Sequence, residues 1–324
     1  MSLTEKIWGE TAELRDEENT IMGWLDSPII CDYYTQPKIT GDANTNWLIG
    51  TCKIMQIPSE TKWLSLGCGG GGLEIFAAKN GLFREMEAFD ISPQVIKVAK
   101  KNAAKERITN ISFNIGDFNT MDFHPKEYDV VLMGMSLHHT YNLEQLFSRL
   151  KTGLKMDGLF ILNEYVGPSQ MQFTTKQLEI VNHLLNILPG KYRFDYVLKQ
   201  IKDHYSPRSR EEWVSIDPSE AIRSNEIVPL LNEYFTIIHK VEYGGTLLNP
   251  LTEHIIGNFK YDSEIDVAIL RLLVFIEEIL IAERILPSDF SVLVMRNNKN
   301  NWFQNLRLSL KARHKPMKKR SIQG

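Results

Sequence analysis

Cysteine is scarce in this chain, which has three in 324 residues, at positions 31, 52 and 68. An odd number without a Cys-x-x-Cys spacing argues against a disulfide framework and against a structural zinc site built on cysteine. We therefore expect a protein of a reducing compartment, with the cytoplasm as the default location.

The sequence also lacks a long apolar run. Its richest apolar stretch, residues 267–286, contains five charged side chains. No segment reaches the roughly 18 uncharged apolar residues that indicate a membrane-spanning helix. Because the N-terminus is acidic and polar, it does not resemble a signal peptide. We predict no membrane span.

The sequence also lacks a large net charge of either sign. With a net charge of −3, the chain has no overall attraction to nucleic acid or anionic lipid. Residues 311–320 are the exception, since six of these ten residues are basic. We expect this end of the chain to be solvated, with weak contact to phosphates or an anionic membrane surface as the alternative.

Short apolar segments alternate with longer amphipathic ones from residue 62 to residue 162. This alternation predicts parallel strands joined by crossover helices, and hence a doubly wound α/β sheet covered on both faces. Ser92-Pro93 and Asn142 are predicted to start helices, and Gly158 is predicted to end one.

Two interruptions of this alternation suggest the domain organisation. The predicted units are an N-terminal helical flap (1–60), the core (61–167), a helical cap insertion (168–217), a core helix and strand (218–245), a second helical insertion (246–286), the last core strand (287–298) and the basic tail (299–324). Long insertions at such positions usually cover a site. Three tryptophans of the flap, Trp8, Trp24 and Trp47, are expected to be exposed.

Five glycines lie within residues 67–72, directly after a predicted strand and before a predicted helix. Glycine permits positive φ angles and lets a ligand approach the backbone closely. Gly67, Gly69 and Gly72 fit the dinucleotide pattern Gly-x-Gly-x-x-Gly, and Gly67, Gly69 and Gly71 equally fit Gly-x-Gly-x-Gly. The loop alone therefore leaves the identity of the ligand open.

Acidic residues follow the next two predicted strands. Asp90 is placed to accept hydrogen bonds from ribose hydroxyls, and it is expected to be free because Ser92 can cap the following helix. Asp117 can accept a hydrogen bond from an adenine amino group. Since parallel strands end at one edge of a sheet, both acids and the glycine loop are expected to meet there.

With these motifs, residues 63–165 resemble a class I S-adenosylmethionine-dependent methyltransferase. The resemblance implies a mostly parallel seven-stranded sheet that ends in an antiparallel strand pair, with helical insertions that form a substrate cap. It implies S-adenosylmethionine as cofactor and S-adenosylhomocysteine as product. The implied cofactor-binding residues are Gly67, Gly69, Gly71, Asp90, Ile91, Asp117, Phe118 and Met133.

Ser65 departs from the pattern of this family, which usually has an acid two residues before the first glycine. In the family that acid generally helps to hold the amino group of the cofactor. Glu74 lies past the loop and is not a positional replacement in the sequence. The contact is therefore expected to be missing, supplied elsewhere or made by water.

Four side chains after the predicted fourth and fifth strands are expected near the methyl group: His138, His139, Glu164 and Tyr165. If the acceptor is a hydroxyl, a general base assists the reaction. His138 is the first choice because an imidazole pKa of about 6.5 suits proton removal near neutrality. Glu164 is its rival, His139 is third, and Tyr165 is expected to orient the substrate. No metal is predicted, since these residues have no recognised ligand spacing.

The insertions carry weaker signals. Arg223 and Glu226 are three residues apart and either pair with each other, which is favoured, or point into the pocket. Five aromatic residues are expected to be mostly core, with stacking on a sugar or an aromatic ring as the alternative. They are Phe173, Tyr192, Phe194, Tyr196 and Tyr243.

We predict an enzyme that methylates an oxygen, with nitrogen or carbon as secondary options, of a small molecule or sugar unit. Residues 163–174 resemble a bacterial subgroup met near genes for surface-glycan or secondary-metabolite assembly.

One alternative is a nucleic-acid methyltransferase, which the terminal position of the basic cluster disfavours. Another is a cofactor-binding regulator or rearrangement catalyst without methyl transfer, which Ser65 leaves open. A nicotinamide dehydrogenase is disfavoured because it gives no reason for Asp117 or for the two histidines. The oligomeric state is left open.

Overall fold

The structure, a computed structural model, describes residues 23–298. Trp8 and the basic tail therefore lie outside the described residues. Within that range the strands are β1 (Lys62–Leu66), β2 (Glu85–Asp90), β3 (Ile111–Ile115), β4 (Tyr128–Gly134), β5 (Leu154–Tyr165), β6 (Phe194–Asp195), β7 (Gln200–Ile201), β8 (Thr236–Glu242) and β9 (Phe290–Arg296).

Seven of these strands form one sheet in the order β3-β2-β1-β4-β5-β9-β8. The first five strands in chain order pair in parallel, and β9 runs antiparallel to both β5 and β8. The short strands β6 and β7 pair only with each other. This arrangement confirms the predicted α/β fold with its terminal antiparallel strands.

Helices flank the sheet and form the inserted segments. They are α1 (residues 28–40, of which Cys31–Thr35 is π-helical), α2 (Trp47–Met55), α3 (Gly72–Lys79), α4 (Pro93–Lys105), α5 (Leu143–Gly153), α6 (Thr175–Ile187), α7 (Arg210–Ile216), α8 (Ile227–Tyr234), α9 (Leu248–Thr252) and α10 (Glu264–Ala282). The two predicted helix starts are confirmed. The Ser92 hydroxyl accepts from the amide of Val95, and Asn142 accepts from the amide of Gln145.

The predicted helix end at Gly158 is wrong. Helix α5 already ends at Gly153, and β5 begins at the next residue. The side-chain amide of Asn297, just after β9, donates to the carbonyl oxygens of Lys151, Leu154 and Lys155. Because this distant amide satisfies the carbonyl groups at the helix end, no glycine stop is needed there.

Three buried apolar clusters hold the fold together. Two lie on the faces of the sheet, and the third joins the N-terminal segment to the inserted helices. Trp24 belongs to the third cluster, where it packs against Tyr243 and Phe290 and is only 2% exposed. The expectation that Trp24 is exposed is therefore wrong. In the part of the chain described here, none of the helices combines the length and the apolar character needed to span a bilayer.

Candidate functional site

The glycine loop between β1 and α3 turns through left-handed backbone conformations. The φ angles of Gly67, Gly69 and Gly71 are +73°, +52° and +78°. A Cβ atom at Gly67 would collide with Cβ of Ser136, so this glycine allows close packing of the chain. A Cβ atom at Gly69 would meet nothing within 4 Å. The loop therefore leaves open space at Gly69, where a ligand can approach the backbone.

Asp90, at the end of β2, holds the glycine loop directly. Its Oδ2 accepts from the amide of Gly69 at 3.0 Å, and its Oδ1 accepts from the amide of Ser92 at 3.0 Å. Burial raises the pKa of Asp90, and these amides oppose the rise. As expected, Ser92 caps the following helix, so Asp90 is not its cap. Both oxygens of Asp90 accept from backbone amides, and each keeps acceptor capacity for a ribose hydroxyl. Ile91 follows Asp90 at the same strand end.

Asp117 and Phe118 follow β3 at the same edge of the sheet. Asp117 Oδ1 accepts from the amide of Asn119 at 2.8 Å, which fixes the turn. The Phe118 ring lies 3.5 Å from the position that a Cβ at Gly67 would take, so it borders the glycine loop. Met133, in contrast, is fully buried in one of the apolar clusters of the sheet. Its contact with a cofactor stays a prediction.

Ser65 and Glu74 form a pair beneath the glycine loop. The Ser65 hydroxyl donates to Oε1 of Glu74 at 2.6 Å. Glu74 lies in the first turn of α3 and is 2% exposed, and its Oε2 is buried without a hydrogen-bond partner. Burial raises the pKa of Glu74 to about 7. A carboxylate from the helix thus reaches the strand position at which the sequence lacks one.

His138 and Glu164 form a buried hydrogen-bonded pair. His138 Nδ1 and Glu164 Oε1 are 2.5 Å apart. Glu164 Oε2 accepts from the amides of Ser136 and Leu137 at 3.0 and 2.7 Å, and Oε1 also accepts from the amide of Tyr165 at 2.7 Å. The two rivals for the role of base are therefore one unit, in which the carboxylate orients the imidazole.

The second nitrogen of the His138 ring faces another carboxylate. His138 Nε2 is 3.7 Å from Glu220 Oε1, and Asp217 lies nearby. Burial lowers the pKa of His138, but the carboxylates of Glu164, Glu220 and Asp217 outweigh it and raise the pKa to about 9. Burial also raises the pKa of Glu220. The imidazole is therefore held between two acids and favours its charged form.

His139 packs against His138, with ring centroids 4.2 Å apart. Its Nδ1 is 3.0 Å from the hydroxyl oxygen of Ser219. Burial and the neighbouring imidazolium lower the pKa of His139, which stays neutral. Ligand-type atoms of His138, His139 and Glu220 lie within 4.8 Å of one another. The spacing of these residues in the sequence matches no known metal-ligand pattern. The sequence therefore did not indicate that the three side chains lie together.

Ser136, in the loop that carries His138 and His139, contacts the glycine loop. Its hydroxyl donates to the carbonyl of Leu66 at 2.8 Å, and its Cβ approaches Gly67. Since His138 follows two residues later, the His138–Glu164 pair lies beside the cofactor-type loop. The sequence did not single out Ser136 or Glu220. For Ser136 the available signal was its position just after β4, which is not specific, and Glu220 has no comparable local signal.

Contacts bear on two further expectations. Tyr165 is buried, and its hydroxyl donates to the carbonyl of Pro168, so its role in orienting substrate stays a prediction. Arg223 and Glu226 do pair, with Nη2 2.6 Å from Oε2, and Arg223 also binds Glu144. Among the predicted roof aromatics, Phe173, Tyr192 and Tyr243 are core residues.

A cavity of about 490 Å³ lies in the inserted segments. Its wall includes Met171, Lys202, Tyr205, Arg208 and Trp213. Burial raises the pKa of Glu220, and the positive charge of Arg208 is one of the influences that lower it. The cavity wall therefore includes one charge that acts on Glu220, although none of His138, His139 and Glu220 lines the cavity.

Comparison with known proteins bears on this site. The sequence profile of a family described as "Methyltransferase domain" matches residues 57–213. The chain is 25% identical to the non-reducing polyketide synthase mapC of Penicillium roqueforti over 216 residues, which are 61% of this chain and 8% of that protein. It is 28% identical over 198 residues to the mitochondrial ubiquinone biosynthesis O-methyltransferase of Schizosaccharomyces pombe, covering 60% of this chain and 61% of that enzyme. The chain thus spans less than two thirds of either relative.

Among solved structures, the chain is similar to an S-adenosylmethionine-dependent methyltransferase from Mesorhizobium loti. The TM-score is 0.44 at 14% identity, covering 77% of this chain and 96% of that one. The matched segment 57–213 contains the glycine loop, Asp90, Asp117 and the His138–Glu164 pair. Residues 57–213 therefore match a methyltransferase domain, the kind of domain that the sequence motifs predict.

Proposed function

We propose that the protein transfers a methyl group to an oxygen of a small molecule, and that His138 removes the proton which the acceptor loses. The observation that carries this proposal is the buried His138–Glu164 pair beside the glycine loop. Glu164 holds Nδ1, so Nε2 is the nitrogen that can accept the proton. His139 is neutral and positions the ring of its neighbour.

The residues at the edge of the sheet fit the cofactor. Gly69 offers an open backbone, Asp90 retains acceptor capacity for the ribose, and Phe118 borders the loop. Asp117, at the end of the next strand, would accept from the adenine amino group. Glu74 Oε2, which is buried and without a partner, suits the ammonium group. When bound, S-adenosylmethionine supplies a methyl group that is already activated for transfer to a nucleophile.

With an activated methyl group, the protein mainly has to position the acceptor and receive its proton. Correct positioning contributes up to about 7–11 kcal/mol to lowering a barrier. A general base contributes a further factor of about 10²–10⁴ in rate. A neutral hydroxyl needs such a base because it must lose its proton on methylation, which is why His138 favours an oxygen acceptor.

A small acceptor is supported by the cavity in the inserted segments. Its volume of about 490 Å³ is within the usual range for small-molecule sites, and Arg208, Tyr205 and Trp213 provide polar and aromatic walls. The relative from fission yeast is named an O-methyltransferase, which supports the same acceptor atom.

The test is an acceptor screen. The purified protein is incubated with S-adenosylmethionine and a panel of phenols, sugars, amines and enolisable carbonyl compounds, and S-adenosylhomocysteine is quantified by mass spectrometry. NMR of the product then identifies the methylated atom. We expect hydroxyl acceptors to turn over. Cofactor binding without turnover of any acceptor would instead support the alternative of a binding protein, and turnover of carbon acids alone would move the reaction to carbon.

A further inference from the structure

Helix α10 is apolar on two opposite sides. Its inner side, with Leu270, Leu273 and Val274, is buried against the inserted helices and the N-terminal segment. Its outer side carries Ile265, Leu272, Phe275 and Ile279, whose side chains are 44–65% exposed. A helix that is apolar all round is normally buried on every side. The outer apolar side of α10 is therefore without cover in the described part of the chain.

The exposed apolar residues follow a coiled-coil spacing. Alternating steps of three and four residues connect Ile265, Ala268, Leu272, Phe275, Ile279 and Ala282. We call these six residues the outer stripe. They correspond to the a and d positions of a heptad repeat, which form the contact seam between two helices. The 19 residues of α10 make this seam about 29 Å long.

Two exposed aromatic residues adjoin the start of α10. Tyr33 and Tyr261 are 44% and 51% exposed, and their rings lie 6.4 Å apart next to the start of α10. Monomeric proteins rarely expose contiguous apolar patches of more than a few hundred Å². A surface of this kind is typical of a protein interface.

We propose that the outer stripe binds the outer stripe of a second copy of this chain, in antiparallel orientation, with the two-fold axis passing between Leu272 and Phe275. In this register Ile265 packs on Ala282 of the second copy, and Ile279 packs on Ala268. Leu272 meets Phe275 at the centre. Each large side chain at the ends thus faces a small one, which fills the seam evenly. A two-fold axis makes the interface self-complementary.

The charges beside the outer stripe favour the antiparallel orientation. Arg271 and Glu278 lie on one side of it, in equivalent g positions, and antiparallel helices bring g positions together. Arg271 then lies near Glu278 of the second copy, twice by symmetry. Glu278 already binds Lys38 of its own chain at 2.8 Å, so the pair would extend an existing network.

A parallel arrangement is less favourable on two counts. It would place Glu278 beside Glu283 of the second copy, which is a repulsive contact between g and e positions. It would also align Ala268 with Ala268 and Ala282 with Ala282, leaving gaps, while Phe275 faced Phe275. The antiparallel register avoids both problems.

Sedimentation velocity of the full chain tests the proposal. We expect the wild type to sediment as two chains and Ile279→Glu to sediment as one, with an unchanged circular dichroism spectrum. The matched control is Ile187→Glu, the same substitution at an isoleucine that is 74% exposed at the end of α6. It should remain dimeric. A wild type that is monomeric at tens of micromolar would overturn the proposal, and the outer stripe would then be covered by another segment or protein.

Engineered cysteines test the orientation without relying on a destabilising charge. Residues 265 and 282 are about 25 Å apart along α10, too far for a bond within one chain. We expect Ile265→Cys/Ala282→Cys to form a covalent dimer on mild oxidation, whereas Ile265→Cys alone and the wild type do not. Cross-linking of Ile265→Cys alone would show parallel helices and refute the antiparallel interface. No cross-linking of the double variant would refute it as well.

Discussion

Glu164 Oε1 is 2.5 Å from His138 Nδ1, although 26 residues separate the two along the chain. They meet because β4 and β5 are parallel neighbours whose carboxyl ends lie side by side. The same carboxylate accepts from the amides of Ser136 and Leu137, so it fixes both the imidazole and the loop that carries it. In the proposed reaction the carboxylate is therefore a positioning group, and His138 is the base that receives the proton of the acceptor.

Replacing the imidazole tests this division of roles. We expect His138→Ala to lower kcat by about 10²–10⁴-fold, because the acceptor proton loses its base. Binding of S-adenosylhomocysteine, measured by calorimetry, should be unchanged. His183→Ala, at an exposed histidine of α6, is the control and should retain full turnover. Unchanged kcat in His138→Ala would mean that positioning alone drives the reaction.

The pH dependence follows from the charges around His138. Glu164, Glu220, Asp217 and His139 surround the imidazole, and its pKa is raised to about 9. Below this pH the ring is protonated and cannot accept a proton, so kcat/KM should rise with pH towards 9. Glu220→Gln removes one negative charge, lowers the pKa of His138 and should shift the profile to lower pH.

The pH shift has a matched control in Glu211→Gln, at an exposed carboxylate of α7, which should leave the profile unchanged. The measurement is kcat/KM from pH 5.5 to 10 for the three proteins. An identical profile in Glu220→Gln would show that Glu220 does not act on the base.

The sheet and the glycine loop could be predicted because their signals are local. Alternation of short and long apolar segments, caps such as Ser92 and the glycine spacing each depend on a few neighbouring residues. The end of α5 could not be predicted, since the group that satisfies its carbonyls, Asn297, arrives from the far end of the domain. Trp24 looked exposed for a similar reason, because the residues that cover it are distant in sequence.

The sequence identified most residues of the candidate site, but it did not predict the hydrogen bonds between them. His138 and Glu164 were each identified at a strand end, yet their hydrogen bond depends on the register between two strands. Glu220 lies in the turn-rich segment before α8, whose path over the sheet has no local signature. Glu74 was set aside because its place in the sequence differs from that of the usual acid, whereas its place in space is adjacent to Ser65.

Substitution of Gly69 tests whether the ligand contacts the glycine loop. A matched glycine elsewhere separates this effect from the backbone strain that alanine causes. Both Gly69 and Gly81 have left-handed φ angles, +52° and +64°, and a Cβ at either would meet nothing within 4 Å. Alanine at either position should therefore cost a similar amount of stability, about 1–2 kcal/mol. Only Gly69→Ala should weaken binding of S-adenosylhomocysteine, because its methyl group would occupy the open side of the loop.

The measurements are chemical denaturation for both alanine variants and calorimetric titration with S-adenosylhomocysteine. Equal affinity in the two variants would indicate that the ligand does not approach Gly69. Weaker binding in both variants would indicate that affinity falls because the backbone is strained, and not because the methyl group introduced at position 69 contacts the ligand.

Glu74 gives a prediction about protons as well as affinity. Burial raises its pKa to about 7, Asp90 adds to the rise, and the Ser65 hydroxyl and its own amide oppose it. At pH 7 a substantial fraction of Glu74 is therefore protonated before ligand binds. An ammonium group placed at Oε2 favours the carboxylate, so binding of S-adenosylhomocysteine should release a proton. A charged hydrogen bond of about 1.5–3 kcal/mol corresponds to an affinity loss of about 10- to 100-fold in Glu74→Gln.

Proton release is measured by calorimetry in buffers of different ionisation enthalpy, with 5′-methylthioadenosine as the control ligand because it lacks the amino-acid part. Glu74→Gln should bind 5′-methylthioadenosine as tightly as the wild type does, and should bind S-adenosylhomocysteine without releasing a proton. Equal losses for both ligands would assign Glu74 to the packing of the loop, since only a contact with the ammonium group distinguishes them. Such a result would leave the roles of Gly69 and Asp90 in cofactor binding intact, because neither depends on the charge of Glu74.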